Sequence, residues 1–398
     1  MYKNLNEYDV TLESFNSIKK KFDHLKEAIP KNRCFLGWDG FIDHLYTIIQ
    51  SRESLDKWTR MDNMKNFGNL IKKVAGSSMG IETLLKRRTT GGFTSNVCKG
   101  MNTLGVKMSL ASAWGYPNLV DIFKESLETR ESIEIDSFTN PGITMGLEFN
   151  DGKILLNNIE SILKISWNLI NERIGIEKLL QKFEDNNLIG LGYWAVILQF
   201  EDILCHIVAD VLPSISHLKN KLLFLDLADV KRRTKKDLIS FLKYLSRVEE
   251  TVPLLLSLND QEAKDVLSAL KAANLINIKG KNIGDLTDAG VYINKFLNIS
   301  YLIIHSPHFA AITTKNGHFW VTEGYTSQPR YTTSAGDHFN AGAVLGLACS
   351  LTPAEAIVMG NAVTAIFVRT GNSPNFNALS QFIHKYMEYI EKDNPNFP

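Results

Sequence analysis

Apolar residues recur along this chain with two spacings, and the alternation between them predicts its architecture. Leu12, Phe15, Ile18, Phe22, Leu25 and Ile29 fall at three- and four-residue steps, the spacing of one helix face, and Pro30 marks the expected end. Short apolar runs at 34–37 and 41–49 then read as strands, followed by 108–113, 188–192, 222–226, 253–258 and 301–305. Between most of them the helical spacing returns, predicting helices over 94–104, 200–212, 235–245, 260–272 and 285–297. Strands alternating with helices in this way predict an α/β fold, a doubly wound and mainly parallel sheet flanked by helices. Three further helices, over 337–349, 353–368 and 377–390, close the chain.

Two segments break the pattern. Residues 143–149 and 153–158 flank Asn150-Asp151-Gly152, a turn sequence that predicts a hairpin. A hairpin cannot join a parallel core, so 143–158, together with 41–50, is expected to form a small β-lid over a single domain spanning 1–398. Residues 52–88 are Lys-rich and mixed in pattern, and are expected to be a helical insertion.

Composition narrows the partners. The formal net charge is +1 with 22% charged residues, which gives no electrostatic reason to expect nucleic acid or an anionic membrane. No run approaches the ~18 apolar residues of a membrane span, and residues 1–10 lack the apolar stretch of a signal peptide. Cys34, Cys98, Cys205 and Cys349 form no C-x-x-C pair, so neither a zinc site nor a disulfide framework is expected, and a reducing cytoplasm fits.

Candidate chemistry concentrates at Ser334-Ala335-Gly336-Asp337, where a strand is expected to run into a helix. Small residues before a helix let backbone N–H groups converge on an anion, which the helix dipole also favours. A carboxylate beside that hole can take the proton of an attacking hydroxyl while the N–H groups hold phosphoryl charge. The small residues Ala341, Gly342 and Ala343 are expected to keep the helix flank open for ligand. On Gly336-Asp337 alone the preferred reading is a helix cap, since Asp is a favoured N-cap.

The wider string from Thr332 to Ala343 resembles the G-A-G-D-x-F-x-A-G signature of ribokinase-like (PfkB) carbohydrate kinases, with Ser334 in place of the first glycine. Further landmarks follow the order of that family. Gly37–Asp43 resembles its first strand and turn, which implies Asp43 as the sugar-binding carboxylate, with Asp39 as second candidate. Gly91-Gly92-Phe93-Thr94-Ser95-Asn96 resembles its G-G-x-x-x-N element, implying substrate contacts from Gly91, Gly92 and Asn96; as a local pattern it is a turn with Thr94 or Ser95 as N-cap. Asn259-Asp260-Gln261-Glu262 resembles its N-x-x-E motif, implying that Glu262 holds Mg²⁺ through water, although Asn followed by Glu at the third helical position also spells a capping box. Asn361 and Gly371 lie in segments that resemble those lining the nucleotide and, in many relatives, a monovalent cation such as K⁺. The stretch His305-Ser306-Pro307-His308 departs from the nucleotide turn of the family.

The resemblance implies transfer of the γ-phosphoryl group of Mg·ATP to a sugar or sugar-like alcohol, with Asp337 as base and an anion hole at Ala335-Gly336-Asp337. A nucleoside acceptor, an ADP-dependent sugar kinase of the same fold and a non-catalytic sugar-binding regulator are the alternatives, and a lid hairpin can also pair two copies as a homodimer. Gly190-Leu191-Gly192-Tyr193-Trp194-Ala195 fits the G-x-G-x-x-A dinucleotide fingerprint, but bulky Tyr193 and Trp194 stand where a pyrophosphate needs close backbone approach. No P-loop motif occurs.

Overall fold

A computed structural model describes residues 7–128, 131–277 and 286–397. In chain order the strands are β1 (Arg33–Trp38), β2 (Phe41–Arg52), β3 (Trp58–Arg60), β4 (Thr83–Gly91), β5 (Lys107–Ser112), β6 (Ile133–Ser137), β7 (Gly142–Phe149), β8 (Gly152–Asn158), β9 (Leu188–Gly192), β10 (Leu222–Asp226), β11 (Leu254–Asn259), β12 (Tyr301–His305), β13 (Phe309–Thr314) and β14 (His318–Thr322).

Nine of them form one sheet in the order β14-β13-β12-β11-β10-β9-β1-β5-β6. From β6 to β12 every pairing is parallel, and β13 and β14 add an antiparallel edge. Successive residues of a strand point to opposite faces, and here each face meets its own layer of helices. Leu36, Leu110, Phe224, Leu255 and Ile303 pack into one core, while Phe35, Ala111, Leu225, Leu256 and Ile304 pack into the other. With both faces covered, these strands read as continuous apolar runs, which is why the sequence located them.

The second sheet is built on the long strand β2. It pairs antiparallel with β4 along one edge and parallel with β7 along the other, β3 adds a short antiparallel pairing at its C-terminal end, and β8 completes the hairpin. Helix Met64–Val74 packs Phe67 against Ile48, Leu147 and Phe149 on one face of this sheet. Segments 41–50 and 143–158 therefore share a sheet, and residues 52–88 contribute β3 and β4 besides a helix. Strand β4 escapes periodicity analysis because Lys86-Arg87-Arg88 interrupts it and its side chains are mostly exposed.

Other elements differ in detail. The single N-terminal helix is two, Glu7–Lys19 and Phe22–Ala28, followed by a 3₁₀ turn that contains Pro30. The break falls between Ile18 and Phe22, where the apolar spacing stays at four, so the pattern conceals it. Lys21 leaves the break to meet both carboxylate oxygens of Glu355 at 2.7 Å. The helix expected at 200–212 runs as Phe200–His206 and continues through a π-turn, and that at 377–390 is interrupted at Lys385. The helix expected from Asp285 is Ala289–Leu297, Asp285 itself lying outside the described residues. Among the described residues no helix is long and apolar enough to cross a membrane, and the four cysteines are free thiols.

Candidate active site

Parallel strands deliver their carboxyl ends to one edge of a sheet, the usual place for ligands in such folds. Here β1 delivers Asp39, β9 Tyr193, β10 Asp226, β11 Asn259 and β12 His305 to that edge. The chain goes from β1 to β5 on one side and returns to β9 on the other, so the order reverses around β1. Helix Ala335–Ala348 begins at this edge. A loop, not a strand, leads into it, since β14 ends at Thr322.

Asp337 is the third residue of that helix and its side chain is buried. It is not a cap: the N-cap position is Ser334, and the carboxylate turns away from the helix start. Asn96 Nδ2 donates to its Oδ2 at 2.9 Å and the Tyr193 hydroxyl donates to its Oδ1 at 2.9 Å. Burial pushes the carboxyl well above the usual carboxylate range, and the negative Asp226 adds to this, while the two hydrogen bonds pull it back. The backbone amides of Gly336 and Asp337 lie in the first helical turn, where an α-helix has no internal acceptor to offer them. Asn340, in the second turn, accepts from Ser257 at 2.6 Å and donates to Asp226 at 2.9 Å, tying the helix to β10 and β11.

Two cavities meet at this helix terminus. A chamber of about 220 Å³ is lined by Asp337, Asp43, Asn96, Gly92, Tyr193 and Ser334. On the other side, a cavity of about 490 Å³ is lined by Asn259, His305, Tyr325, Ala335, Gly336 and Phe339, among others. The His305 ring stacks on Phe339 with centroids 4.9 Å apart, and a Cβ on Gly336 would stand 3.1 Å from that imidazole. The substituted turn at 305–308 therefore still forms a wall of this second cavity. The Gly91-Gly92 pair serves both aspartates: a Cβ on Gly91 would collide with the Asp43 carboxylate, and one on Gly92 with that of Asp39.

A sequence profile of the prokaryotic ketohexokinase family matches residues 10–386. The chain belongs to that family. It is 27% identical to the ketohexokinase of Haloferax volcanii over 371 residues, covering 93% of this chain and 95% of the relative. Among solved structures it resembles the Thermotoga maritima ribokinase (TM-score 0.59, 13% identity, 90% and 99% of the two chains covered). The Arabidopsis thaliana ribokinase complexed with ribose and ATP gives a TM-score of 0.58 at 13% identity, with 88% and 98% covered. The Burkholderia thailandensis nucleoside kinase in complex with inosine gives 0.56 at 15%, with 90% and 99% covered. The ribokinase-like fold and the sugar-kinase class expected from the motifs both hold for this ketohexokinase-family chain.

Within that frame several expected residues take other positions. Asp39 is fully buried and its two carboxylate oxygens accept from the amides of Phe93 (2.8 Å) and Thr94 (2.9 Å). It caps helix Phe93–Leu104 from outside, a task that the local pattern gave to Thr94 or Ser95, and desolvation pushes it up to about 7. Asn361 is also fully buried, donating to the Thr322 carbonyl and the Tyr386 hydroxyl; Thr364, Ala365 and Val368, further along its helix, line the 490 Å³ cavity instead. Gly371 ends helix Pro353–Thr370 with φ +75° and lies against the Tyr331 ring, lining a cavity with Asp43 and Asn96 and not the 490 Å³ one. Ala341, Gly342 and Ala343 do not open the helix to ligand. They are buried, and Gly342 faces Gly360 so closely that a Cβ would stand 2.9 Å from its Cα.

The dinucleotide fingerprint also dissolves. A Cβ on Gly190 would strike Phe224 and Leu36, and one on Gly192 would strike Phe93, so both glycines serve sheet packing. The next helix begins only at Phe200. Sequence reasoning missed Tyr193, Asp226, Asn340 and His305. Asp226 and His305 stand at the ends of strands it had located, and that position was the available signal.

Glu262 makes both halves of a capping box with Asn259: Asn259 Oδ1 accepts from the Glu262 amide, and Glu262 Oε2 accepts from the Asn259 amide, each at 2.9 Å. Desolvation, then the neighbouring Asp226, push its carboxyl up to about 9, and Asp226 itself is pushed to about 6. Two buried carboxyls, of which Asp226 raises Glu262 and is itself raised by burial, are a donor set suited to a divalent cation that keeps most of its waters. Among the described residues no group of three such ligands converges. Around Gly371 the donor set does not suit K⁺: the cavity there is lined by Arg87 and Lys99, with Asp43 as its carboxylate.

Proposed function

We propose that this chain transfers the γ-phosphoryl group of ATP to a hydroxyl of a ketohexose. One observation carries the reading: the N-terminus of helix Ala335–Ala348, with Asp337 on it, stands between a chamber lined by hydrogen-bonding side chains and the cavity bounded by the ends of β11 and β12. In this reading the acceptor occupies the chamber, where Asp43 and Asn96 pair its hydroxyls against the Gly91-Gly92 backbone. Asp337 accepts the proton of the attacking hydroxyl, held in aim by Tyr193 and Asn96. The first-turn amides of Gly336 and Asp337 bear the charge on the transferred group, and the nucleotide lies across Ala335 toward His305 and Phe339. Mg²⁺, when bound near Glu262 and Asp226, supplies neutralising charge. The sheet of β2, β4, β7 and β8 acts as the lid that excludes water from the chamber.

The experiment is a coupled turnover assay with ATP and ADP as donors against ketohexoses, aldohexoses and nucleosides, run on wild type and Asp337→Asn. ATP-dependent turnover of a ketohexose that falls by about 10²–10⁴ in the variant is expected. Turnover with ADP alone, a better nucleoside acceptor, or saturable sugar binding without transfer would each replace this reading with a rival.

A further inference from the structure

The chamber beside Asp337 is lined by three carboxyl side chains, Asp43, Asp229 and Asp337, and, among its described lining residues, by one cation, Arg232. A neutral ketohexose offers hydroxyls, which carboxylates and amides can pair, and has no charge to set against a guanidinium. The group that reaches it does: a phosphoryl group entering this space is repelled by each carboxylate that is ionised. The turn after β10 places Arg232 there. Asp226, the last residue of β10, accepts from the Ala228 amide at 2.9 Å. Asp229 then accepts from the Lys231 amide at 3.3 Å and opens the 3₁₀ turn Val230–Arg232, anchored by the buried Val230.

Three consecutive cations leave this turn, and two of them are occupied. Lys231 lies 3.6 Å from Asp265. Arg233 donates to the carbonyls of Trp194 (3.2 Å) and Ile197 (3.4 Å) and rests over the Trp194 ring, 4.8 Å from its centroid. Arg232 makes no side-chain hydrogen bond among the described residues. Its ion-pair partner Asp229 stands 3.8 Å away, beyond hydrogen-bond reach, and its side chain is 40% exposed. Nor is it spent on the other two acids: the charges that act most on Asp43 are Lys99 and Arg87, and on Asp337 it is Asp226.

We propose that Arg232 is a further catalytic residue, whose guanidinium binds the oxygens of the phosphoryl group in transfer from the β10 side of the chamber. The inference rests on the kinase reading above. In the step, the acceptor oxygen bonds to the γ-phosphorus, the bond from that phosphorus to the ADP oxygen breaks, and the hydroxyl proton goes to Asp337. The three remaining phosphoryl oxygens carry negative charge throughout. A planar guanidinium offers two of them parallel N–H donors, which a lysine ammonium does not.

The test is steady-state turnover of a ketohexose with ATP in wild type, Arg232→Lys and Arg232→Ala. Calorimetric binding of the ketohexose alone, and of ADP with aluminium fluoride, whose planar anion mimics the group in flight, accompanies it. Because the side chain is outside the core, both variants should keep the wild-type Tm. Expected are a kcat lowered by about 10² in Arg232→Ala and about tenfold in Arg232→Lys, with sugar KM and affinity within about twofold of wild type. Affinity for ADP with aluminium fluoride should fall in step with kcat, and added guanidinium ion should restore part of kcat to Arg232→Ala. A kcat in Arg232→Ala within about threefold of wild type overturns the assignment, as does a raised sugar KM at unchanged kcat, which makes Arg232 a sugar ligand. A wild type that turns over no acceptor with any nucleotide removes the kinase reading and this role with it, whereas an active wild type with an unaffected variant removes this role alone.

Discussion

At φ +72° Ser334 holds the left-handed backbone conformation in which a Cβ is unfavourable, at the position where ribokinase-like relatives use glycine. Its carbonyl accepts from both the His338 amide (3.2 Å) and the His338 ring (2.8 Å), and this network holds it there. The strain costs about 1–2 kcal/mol. Ser334→Gly should therefore raise Tm by a few degrees in a scanning-calorimetry comparison, and a lower Tm would show that the serine is held without strain. Tyr193 is the second telling residue. Its hydroxyl donates to the ionised form of Asp337 and so counters the desolvation that raises that group. A base must be ionised to work, so under the proposed role of Asp337 turnover is expected to rise with pH through its pKa. Tyr193→Phe should lower kcat by about tenfold and move the acid limb of the pH–rate profile to higher pH. An unmoved limb would mean that Tyr193 serves packing alone.

At the scale of elements, the helix start at Asn259 shows how one residue can satisfy two demands. The capping box accounts for Glu262 structurally, and the field of Asp226 gives it an electrostatic character that a cap does not need. Glu262→Gln retains the cap geometry, since Gln also serves at the third helical position, and removes the buried carboxyl that Asp226 raises. The expected outcome is an apparent Mg²⁺ requirement raised by about tenfold at unchanged or slightly higher Tm. If Tm falls and the Mg²⁺ titration stays put, the residue is a cap and nothing more. Asp39 makes the converse case. Second to Asp43 as a candidate substrate carboxylate in the Gly37–Asp43 segment, it has its oxygens taken by the start of helix Phe93–Leu104, the element that carries Asn96.

Across the whole molecule, buried acids leave a pH signature. Glu262 is raised to about 9, Asp39 to about 7, Asp226 to about 6, and Asp337 well above its ordinary value. Each folded value lies above that of the unfolded chain, about 4. Each group therefore contributes stability that is complete below that pH and is lost as pH rises through the folded value. His305 and His338 are lowered to about 4, so they act in the opposite sense, adding stability as pH rises from about 4 to 6.5. Above that range the histidines contribute no further change. Between pH 7 and 9 Tm should fall, carried by Glu262, and Glu262→Gln should flatten the slope. A Tm that rises over this window in metal-free buffer would contradict the assignment.

The sequence by itself determined the layer architecture, because strands buried on both faces and helices buried on one write their surroundings into local periodicity. It also marked Asp337, Asn96, Asp43 and the Asn259–Glu262 helix start through short motifs. Strand β4 stayed hidden because an exposed edge strand carries charges where an apolar alternation would betray it, and Arg87 stayed hidden with it. Tertiary structure alone decided which groups meet. Asn96 and Asp337 are 241 residues apart, and Tyr193 and Asp337 are 144, yet both pairs share hydrogen bonds. It also decided that Asp43 and not Asp39 faces the chamber, since of two carboxylates four residues apart one is consumed by the helix that packs over it. Periodicity records whether a side chain is buried; which partner buries it depends on strand order, and no local pattern encodes that.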